Sequence, residues 1–169
     1  MPKIIEGLRL RLLCEAEKQM TEKGYAAMKI RSVAKSCQVA VGTVYNYFPS
    51  KEVLAASVLL DRWKLALSEM ERVAEAETCA EEVLRCIYQQ LCAFMDQYRV
   101  LFLDEAAVAV FGASIAQYHD LLRQQLAKPL QRFCESEFEA EFIAESLLTW
   151  TVAGEGFEEI YCVIQKIFK

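Results

Sequence analysis

The sequence contains few residues that interrupt a helix. Six glycines and three prolines are spread over 169 residues, while Ala, Leu, Glu, Gln and Lys are abundant. These five residue types favour helices, whereas glycine and proline disfavour them. Hydrophobic residues make up 54% of the chain, a proportion typical of folded globular proteins. We therefore predict an all-α fold with short loops.

The first three helices are predicted from apolar residues that recur at steps of three and four. They cover about residues 2–23, 30–37 and 41–48. Gly24 is expected to end the first helix and Pro49 the third. Because only residues 38–40 separate the second helix from the third, these two form a helix-turn-helix unit.

A longer fourth helix is predicted to follow the helix-turn-helix unit. Ser50 is a suitable N-cap for a helix that begins at Lys51 and continues to residue 74 or a little beyond. The capping-box pattern at residues 78–81 predicts the start of a fifth helix, which ends near residue 98. No low-complexity linker occurs between these helices. A helix-turn-helix head of residues 1–50 and a helical body of residues 51–169 are therefore expected to meet at the fourth helix.

The rest of the body is predicted to be helical as well. Further helices fit about residues 100–110, 114–134, 138–153 and 155–168. Breaks between them are expected at Gly112, near Ser136 and at residues 154–156.

The net charge of −5 is distributed unevenly along the chain. Residues 1–51 contain nine Lys or Arg and four Glu, a balance of +5. The rest contains ten Lys or Arg and twenty Asp or Glu, a balance of −10. A basic head tolerates a polyanion such as DNA, whereas an acidic body does not. The alternative explanation is a solvated surface of mixed charge.

Residues 41–51 read VGTVYNYFPSK. If the third helix lies in the DNA major groove, Gly42 permits close approach to base edges, and Thr43 offers a hydroxyl to a phosphate and a methyl to a thymine. Uncharged side chains that can donate hydrogen bonds to phosphates follow at Tyr45, Asn46 and Tyr47, and Lys51 adds a cation.

The same helix also needs an inner face. Val44 and Phe48 are four residues apart and are expected to turn inward. The alternative to DNA contact is that Tyr45 and Tyr47 are partly buried aromatic residues of a helical bundle. Residues two apart cannot share a helix face, so at least one of these tyrosines is expected to stay exposed.

The run MKIRSVAKSCQVAVGTVYNYFPSKEVL, residues 28–54, resembles the TetR family of bacterial transcriptional regulators. The resemblance extends more loosely over about residues 3–60 and is only architectural beyond them. It implies a homodimer that binds a palindromic operator with the third helix in the major groove. It also implies an effector pocket in the body, whose occupancy changes the separation of the two heads.

The resemblance further implies which residues contact DNA. Phosphate contacts are implied for Lys29, Arg31 and Ser32 at the start of the second helix, and a backbone contact is implied for Lys51. In the third helix, the residues implied to face DNA are Val41, Gly42, Thr43, Tyr45, Asn46 and Tyr47.

Three positions depart from the family pattern. Gln38 stands where many members have a turn glycine, and positive φ there costs about 1 kcal/mol. Ala40 replaces a common serine cap. Val41 replaces a common lysine, so a phosphate contact is lost, although the valine can contact a thymine methyl instead.

Two further sets of residues are predicted for the body. Large side chains suited to a pocket for a small hydrophobic effector are Trp63, Met70, Phe94, Met95, Tyr98, Phe102, Phe111, Tyr118 and Trp150, and the alternative is ordinary core. Apolar residues of the last two helices predict half of a four-helix dimer interface: Phe142, Leu147, Leu148, Thr151, Val152, Phe157, Ile160, Tyr161, Ile164 and Ile167. For these residues the alternative is a core within one chain.

The sequence disfavours catalysis, because it has one histidine, His119, and no glycine-rich phosphate loop. The seven cysteines form no CxxC pair and suit buried thiols in a reducing cytoplasm, so neither a metal nor another cofactor is expected. No signal peptide or membrane-spanning stretch is evident. We predict a cytoplasmic, DNA-binding regulator, with repression favoured over activation. The alternatives are a helical protein-interaction module and a thiol-responsive regulator.

Overall fold

The computed structural model describes residues 7–99 and 104–166, with the side chains of residue 106 and of residues 110–118 left outside the description. Every regular element in these ranges is helical, which confirms the predicted all-α fold. None of the helices within them combines the length and the apolar character that crossing a membrane requires. The α-helices are α1 (Leu8–Lys23), α2 (Ile30–Ser36), α3 (Val41–Tyr47), α4 (Lys51–Ala76), α5 (Ala80–Gln97), α6 (Glu105–Ala127), α7 (Glu137–Ala153) and α8 (Phe157–Ile164), and a 3₁₀ helix covers Lys128–Phe133.

Several helix ends lie where the sequence predicts them. Gly24 closes α1 with φ 82°, and its N–H donates to the Met20 carbonyl at 3.0 Å. The Ser50 hydroxyl accepts a hydrogen bond from the Val53 N–H at 3.2 Å, so it caps α4 as expected. Gly154 ends α7 in the left-handed conformation with φ 92°, which glycine adopts without a Cβ clash. The predicted start of the first helix, before residue 7, lies outside the described residues.

Two predicted boundaries are wrong. Gly112 does not interrupt the helix but lies inside α6, a continuous helix of 23 residues. One glycine costs a helix only about 1 kcal/mol, which the remaining turns offset. The capping box at Thr78 does not form, because α5 begins at Ala80 and the Glu81 carboxylate instead accepts a hydrogen bond from Arg85 at 2.7 Å.

The chain divides into two compact units. The first contains residues 1–62 and 97–113, and the second contains residues 63–96 and 114–169. The predicted boundary at residue 50 therefore falls inside the first unit, and α4 contributes residues to both units.

The first unit is held together by a buried carboxylate. Glu17, on α1, is only 8% exposed, and its Oε1 accepts hydrogen bonds from Arg62 Nε at 2.7 Å and Tyr98 Oη at 2.7 Å. Its Oε1 also accepts from Gln97 Nε2 at 2.8 Å, and Arg62 Nη2 binds its second oxygen. Burial and the bond to Glu17 raise the pKa of Tyr98, so its hydroxyl remains a donor. Residues 97–98 thereby join the same unit as α1.

The second unit has its own hydrophobic core, built from the later part of α4 and from α5 to α8. Fully buried members include Met70, Leu84, Ile87, Leu126 and Ile143. At its edge, Trp63 packs edge-on against Phe94 with ring centroids 5.5 Å apart, and its Nε1 donates to Gln125 Oε1 at 2.8 Å. Trp63 therefore has both an apolar and a polar partner inside the unit.

Most residues predicted for the dimer interface belong to this core. Their side chains are 8% exposed or less within the single chain, so they have no surface to offer a partner. These residues are Leu147, Leu148, Thr151, Phe157, Ile160 and Ile164. The alternative interpretation, a core within one chain, holds for them, because α7 and α8 turn their apolar faces toward α4 and α5. Tyr161 is half-buried, Phe142 and Val152 are exposed, and Ile167 lies outside the described residues.

Candidate nucleic-acid interface

The helix-turn-helix segment is fixed to the first unit by one apolar face on each helix. On α2, Ile30, Val33 and Ala34 are buried, and Cys37 follows at its carboxyl end. On α3, Val44 is fully buried, and Phe48, the residue after the helix, is 2% exposed. The predicted inward positions are therefore confirmed. With one face of α3 held in this way, its opposite face is directed away from the core.

The turn between the two helices depends on a residue with positive φ. Gln38 has φ 58°, as the family resemblance implies, and it alone among the non-glycine residues described has this conformation. Its N–H donates to the Lys35 carbonyl at 3.1 Å, and the next N–H, of Val39, donates to Ala34 at 3.0 Å. Ala40 provides no side-chain cap for α3, so the backbone bond from Thr43 N to Ala40 O, 2.9 Å, begins the helix.

The outer face of α3 carries most of the residues predicted to contact DNA. Gly42, Tyr45 and Asn46 are exposed, with 48% of Tyr45 accessible. Val41, Thr43 and Tyr47 are half-buried beside them. At least one tyrosine was expected to remain exposed, and Tyr45 does so. The exposed face therefore offers a phenol, an amide and a bare backbone position next to each other.

Gly42 has no structural role inside the chain. It lies in the first turn of α3, and a Cβ added to it would meet nothing within 4 Å. Glycine within a helix costs about 0.5–1 kcal/mol relative to alanine. The open space around this position leaves room for a molecule outside the chain to approach the helix backbone closely.

Cationic side chains flank this face. Lys29, Arg31 and Ser32 are all exposed at the amino-terminal end of α2, and Lys35 is exposed near its carboxyl end. The backbone of Lys29 is extended just before α2 begins, and its carbonyl accepts from Ser32 N at 2.9 Å. The residues predicted to contact phosphates thus lie on the surface of the same helix-turn-helix segment.

Lys51 is more constrained than the sequence indicates. Its ammonium donates to the Ala26 carbonyl at 3.3 Å and lies 4.1 Å from the centroid of the Tyr25 ring. Burial lowers its pKa. The Tyr25 hydroxyl in turn donates to Glu52 at 3.1 Å, and burial raises the pKa of Tyr25 to about 12. Lys51 therefore connects the start of α4 to the loop after α1.

Two positioning residues were not found from the sequence. Arg11 Nη2 donates to the Cys37 carbonyl at 2.7 Å and so ties the end of α2 to α1. Asp104 Oδ2 accepts from Ala26 N at 2.9 Å, and its other oxygen accepts from Ala107 N at 3.2 Å. Helical periodicity places Arg11 on a polar face, but no local signal indicates a bond to a residue 26 positions away.

The residues predicted for an effector pocket are divided between the two units. Trp63, Met70, Phe94 and Met95 are buried or half-buried in the second unit, and Trp150 in that unit is 53% exposed. Tyr98 instead belongs to the first unit, where it binds Glu17. Phe102 and the side chains of Phe111 and Tyr118 lie outside the description. His119 Nε2 lies 3.5 Å from Glu145 Oε1.

Comparison with known proteins identifies the helix-turn-helix segment. Residues 12–58 match the family model for bacterial regulatory proteins of the tetR family. Residues 12–58 form a DNA-binding domain of the TetR family. The match covers the helix-turn-helix segment, from within α1 to the first turns of α4.

A curated relative supports the same assignment, and solved structures share the fold. The HTH-type transcriptional regulator UidR of Escherichia coli strain K12 is 31% identical over 67 residues, which are 40% of this chain and 34% of UidR. The chain thus spans about a third of that relative. A transcriptional regulator from Cytophaga hutchinsonii ATCC 33406 shares the fold with a TM-score of 0.71 at 16% identity, over 96% of this chain and 95% of that one. RolR, solved in complex with resorcinol, gives a TM-score of 0.59 at 20% identity over 96% and 88% of the two chains.

Proposed function

We propose that the protein is a transcriptional repressor that binds a palindromic DNA operator as a homodimer and is released by a small-molecule effector. The geometry of α3 is the observation that supports DNA binding. Val44 and Phe48 hold one face in the core, while Gly42, Tyr45 and Asn46 are exposed on the other. Exposed Lys29 and Arg31 on α2 supply cations for phosphates at the edge of this surface. Repression requires only that the bound dimer occlude a promoter.

A salt titration with duplex DNA tests this function. The probe is the duplex enriched by repeated selection from a random-sequence library, here called the selected duplex. We expect nanomolar binding that weakens steeply as salt rises, because each phosphate contact releases a counterion. A scrambled duplex of the same composition is the control. Binding that ignores salt, or equal binding to the scrambled duplex, would contradict the proposal.

Gly42→Ala separates folding from DNA binding. The alanine is expected to stabilise the folded chain by about 0.5–1 kcal/mol, because it favours a helix and meets nothing within 4 Å. It is also expected to weaken binding to the selected duplex by about tenfold, because the new methyl keeps the helix away from the base edges. Thermal unfolding and fluorescence anisotropy measure the two effects. Unchanged affinity would show that DNA does not approach α3 closely at Gly42.

The homodimer is proposed to use the exposed face of α7 rather than the residues in the core. Phe138, Phe142 and Val152 are 77%, 51% and 60% exposed and follow one face of the helix at steps of four and ten. The rings of Phe138 and Phe142 lie 6.4 Å apart, and Val163 on α8 is also exposed. A row of large apolar side chains facing water is typical of an interface.

Phe142→Glu tests this face. Because a two-fold interface presents each residue twice, we expect the dissociation constant of the dimer to rise about 100-fold. Sedimentation velocity measures the change, and binding to the selected duplex should weaken in parallel. Leu65→Glu, at a residue of α4 that is 58% exposed, is the matched control. Equal effects of the two changes would mean that added charge, and not the α7 face, weakens the dimer.

The effector is proposed to be a small hydrophobic molecule bound in the second unit. The known complex of RolR with resorcinol, in a chain of the same fold, supports this class of ligand. Within this chain, the support is the contact of Trp63 with Phe94 and Gln125, which combines aromatic surface with a polar amide. Small hydrophobic and cationic compounds can be screened for release of the selected duplex. A Trp63→Phe variant should then respond less, whereas a response equal to that of the unaltered protein would place the ligand elsewhere.

A further inference from the structure

Two of the seven cysteines share one cleft of the first unit. The cleft has a volume of about 330 Å³ and lies between α1 and the carboxyl end of α2. Its lining residues are Arg11, Cys14, Glu15, Lys18, Ser36 and Cys37. Cys14 is exposed, and Cys37 is buried with 5% of its surface accessible. The cleft therefore connects a buried thiol with one that solvent reaches.

The position of the Cys37 sulfur brings it close to Cys14. Its Sγ lies 3.6 Å from the Arg11 carbonyl oxygen, to which the thiol donates. In an α-helix a carbonyl oxygen lies beside the residues three and four positions later, which here are Cys14 and Glu15. Burial raises the pKa of Cys37, and negative charge on Glu15 and Cys14 adds to the rise, in agreement with this placement.

Cys37 also lies directly beside the turn that sets the direction of α3. It is the residue at which α2 ends, directly before Gln38, whose positive φ makes the turn. Its N–H donates to Val33, and its carbonyl accepts from Arg11. A new covalent bond at Cys37 would therefore act on the turn that sets the direction of α3.

We propose that Cys14 and Cys37 form a reversible disulfide when a hydroperoxide oxidises the chain, and that this disulfide weakens DNA binding. The second part rests on the proposed function. A disulfide requires Cβ atoms about 3.5–4.5 Å apart and a fixed dihedral angle. Forming it takes the Cys37 sulfur away from the Arg11 carbonyl and moves the end of α2, so the two α3 helices of a dimer no longer match their half-sites.

The chemistry needs one hydroperoxide for each disulfide. The exposed Cys14 thiolate attacks the outer peroxide oxygen, which breaks the O–O bond and gives a sulfenic acid and an alcohol. The Cys37 thiolate then attacks the Cys14 sulfur and expels hydroxide, which leaves as water. The two thiols lose two electrons and two protons in all, and the peroxide is reduced to an alcohol and water. Burial raises the pKa of Cys37, so the exposed Cys14 and not Cys37 is the thiol that meets the peroxide first.

Peptide mapping tests the bond without reference to DNA. The full chain is treated with hydrogen peroxide, its remaining thiols are alkylated, and it is digested with trypsin. Cleavage after Arg11, Lys18, Lys35 and Lys51 gives LLCEAEK with Cys14 and SCQVAVGTVYNYFPSK with Cys37. We expect these two peptides joined, with two hydrogens fewer than their sum, and separated again by dithiothreitol. Oxidation of Cys14 to sulfinic or sulfonic acid with Cys37 still alkylated would overturn the proposal.

Affinity measurements test the consequence. Oxidised protein is expected to bind the selected duplex about tenfold more weakly, with full recovery in dithiothreitol. Cys14→Ser should abolish this response, and Cys79→Ser, at an exposed cysteine of the second unit, should retain it. Cys37→Ser should abolish the response as well. Its hydroxyl can still donate to the Arg11 carbonyl, so the fold is expected to be preserved.

The possible failures are distinguishable. If the joined peptides form but affinity is unchanged, the disulfide has no regulatory effect and that part of the proposal is wrong. If the reduced protein binds no duplex at all, the proposed function fails together with the regulatory effect, while peptide mapping still decides whether the bond forms. A response retained by Cys14→Ser would assign the oxidation to another cysteine and overturn the proposal.

Discussion

Replacing Tyr45 by alanine is expected to weaken binding to the selected duplex by about 100-fold or more. Tyr45 is exposed on α3, where its hydroxyl can donate to a phosphate. A hydrogen bond to a charged group contributes about 1.5 kcal/mol, and a dimer makes two such bonds, so the loss is about 3 kcal/mol. Fluorescence anisotropy measures the affinity, and thermal unfolding should change little because the ring is half accessible.

Tyr45→Phe shows which part of the side chain matters. It keeps the ring and removes only the hydroxyl, so we expect an affinity close to that of Tyr45→Ala. If phenylalanine instead retains full affinity, the ring and not a phosphate bond contributes the binding energy. An affinity of Tyr45→Ala within twofold of the unaltered protein would mean that α3 is not the recognition helix.

Replacing Arg62 by alanine is expected to destabilise the chain by about 3 kcal/mol. Arg62 binds both oxygens of Glu17, which is 8% exposed. Without the guanidinium, the buried carboxylate keeps only neutral donors from Gln97 and Tyr98. An unpaired buried charge is strongly destabilising. Urea unfolding measures the free energy of unfolding at neutral pH.

Arg72→Ala is the matched control for Arg62→Ala. Arg72 binds both oxygens of Glu69 at 2.7 Å, the same two-bond geometry, but on the exposed surface of α4. Water solvates both groups when that pair is broken, so the urea midpoint should barely move. If the two variants lose the same stability, burial of Glu17 is not the cause of the larger effect.

The helix-turn-helix segment was predictable because its determinants are local. The apolar faces of α2 and α3 follow from residues within one or two turns of each other, whereas the positive φ of Gln38 was implied by the family resemblance. The exposure of at least one of Tyr45 and Tyr47 follows from helical geometry alone. These features depend on short-range sterics and periodicity, which a sequence displays directly.

Predictions failed in both units where packing between distant segments decides. Leu147 and Phe157 have the apolar pattern of an interface, but the same pattern serves a core within one chain, and the structure has the core. Glu17 resembled any surface glutamate of α1, since its partners lie 45, 80 and 81 residues away. Gly112 was expected to break a helix, yet the cost of one glycine is too small to interrupt a helix of 23 residues.

The core of the second unit affects how dimer formation would depend on the concentration of the protein. Because Leu147, Leu148 and Ile160 are buried within one chain, that unit can fold before it meets a second copy. For the proposed homodimer, folding and assembly are then separate equilibria, and only the second depends on concentration. At low expression, the amount of dimer would rise with the square of the amount of chain. Operator occupancy would then change steeply over a narrow range of expression, as in a threshold response.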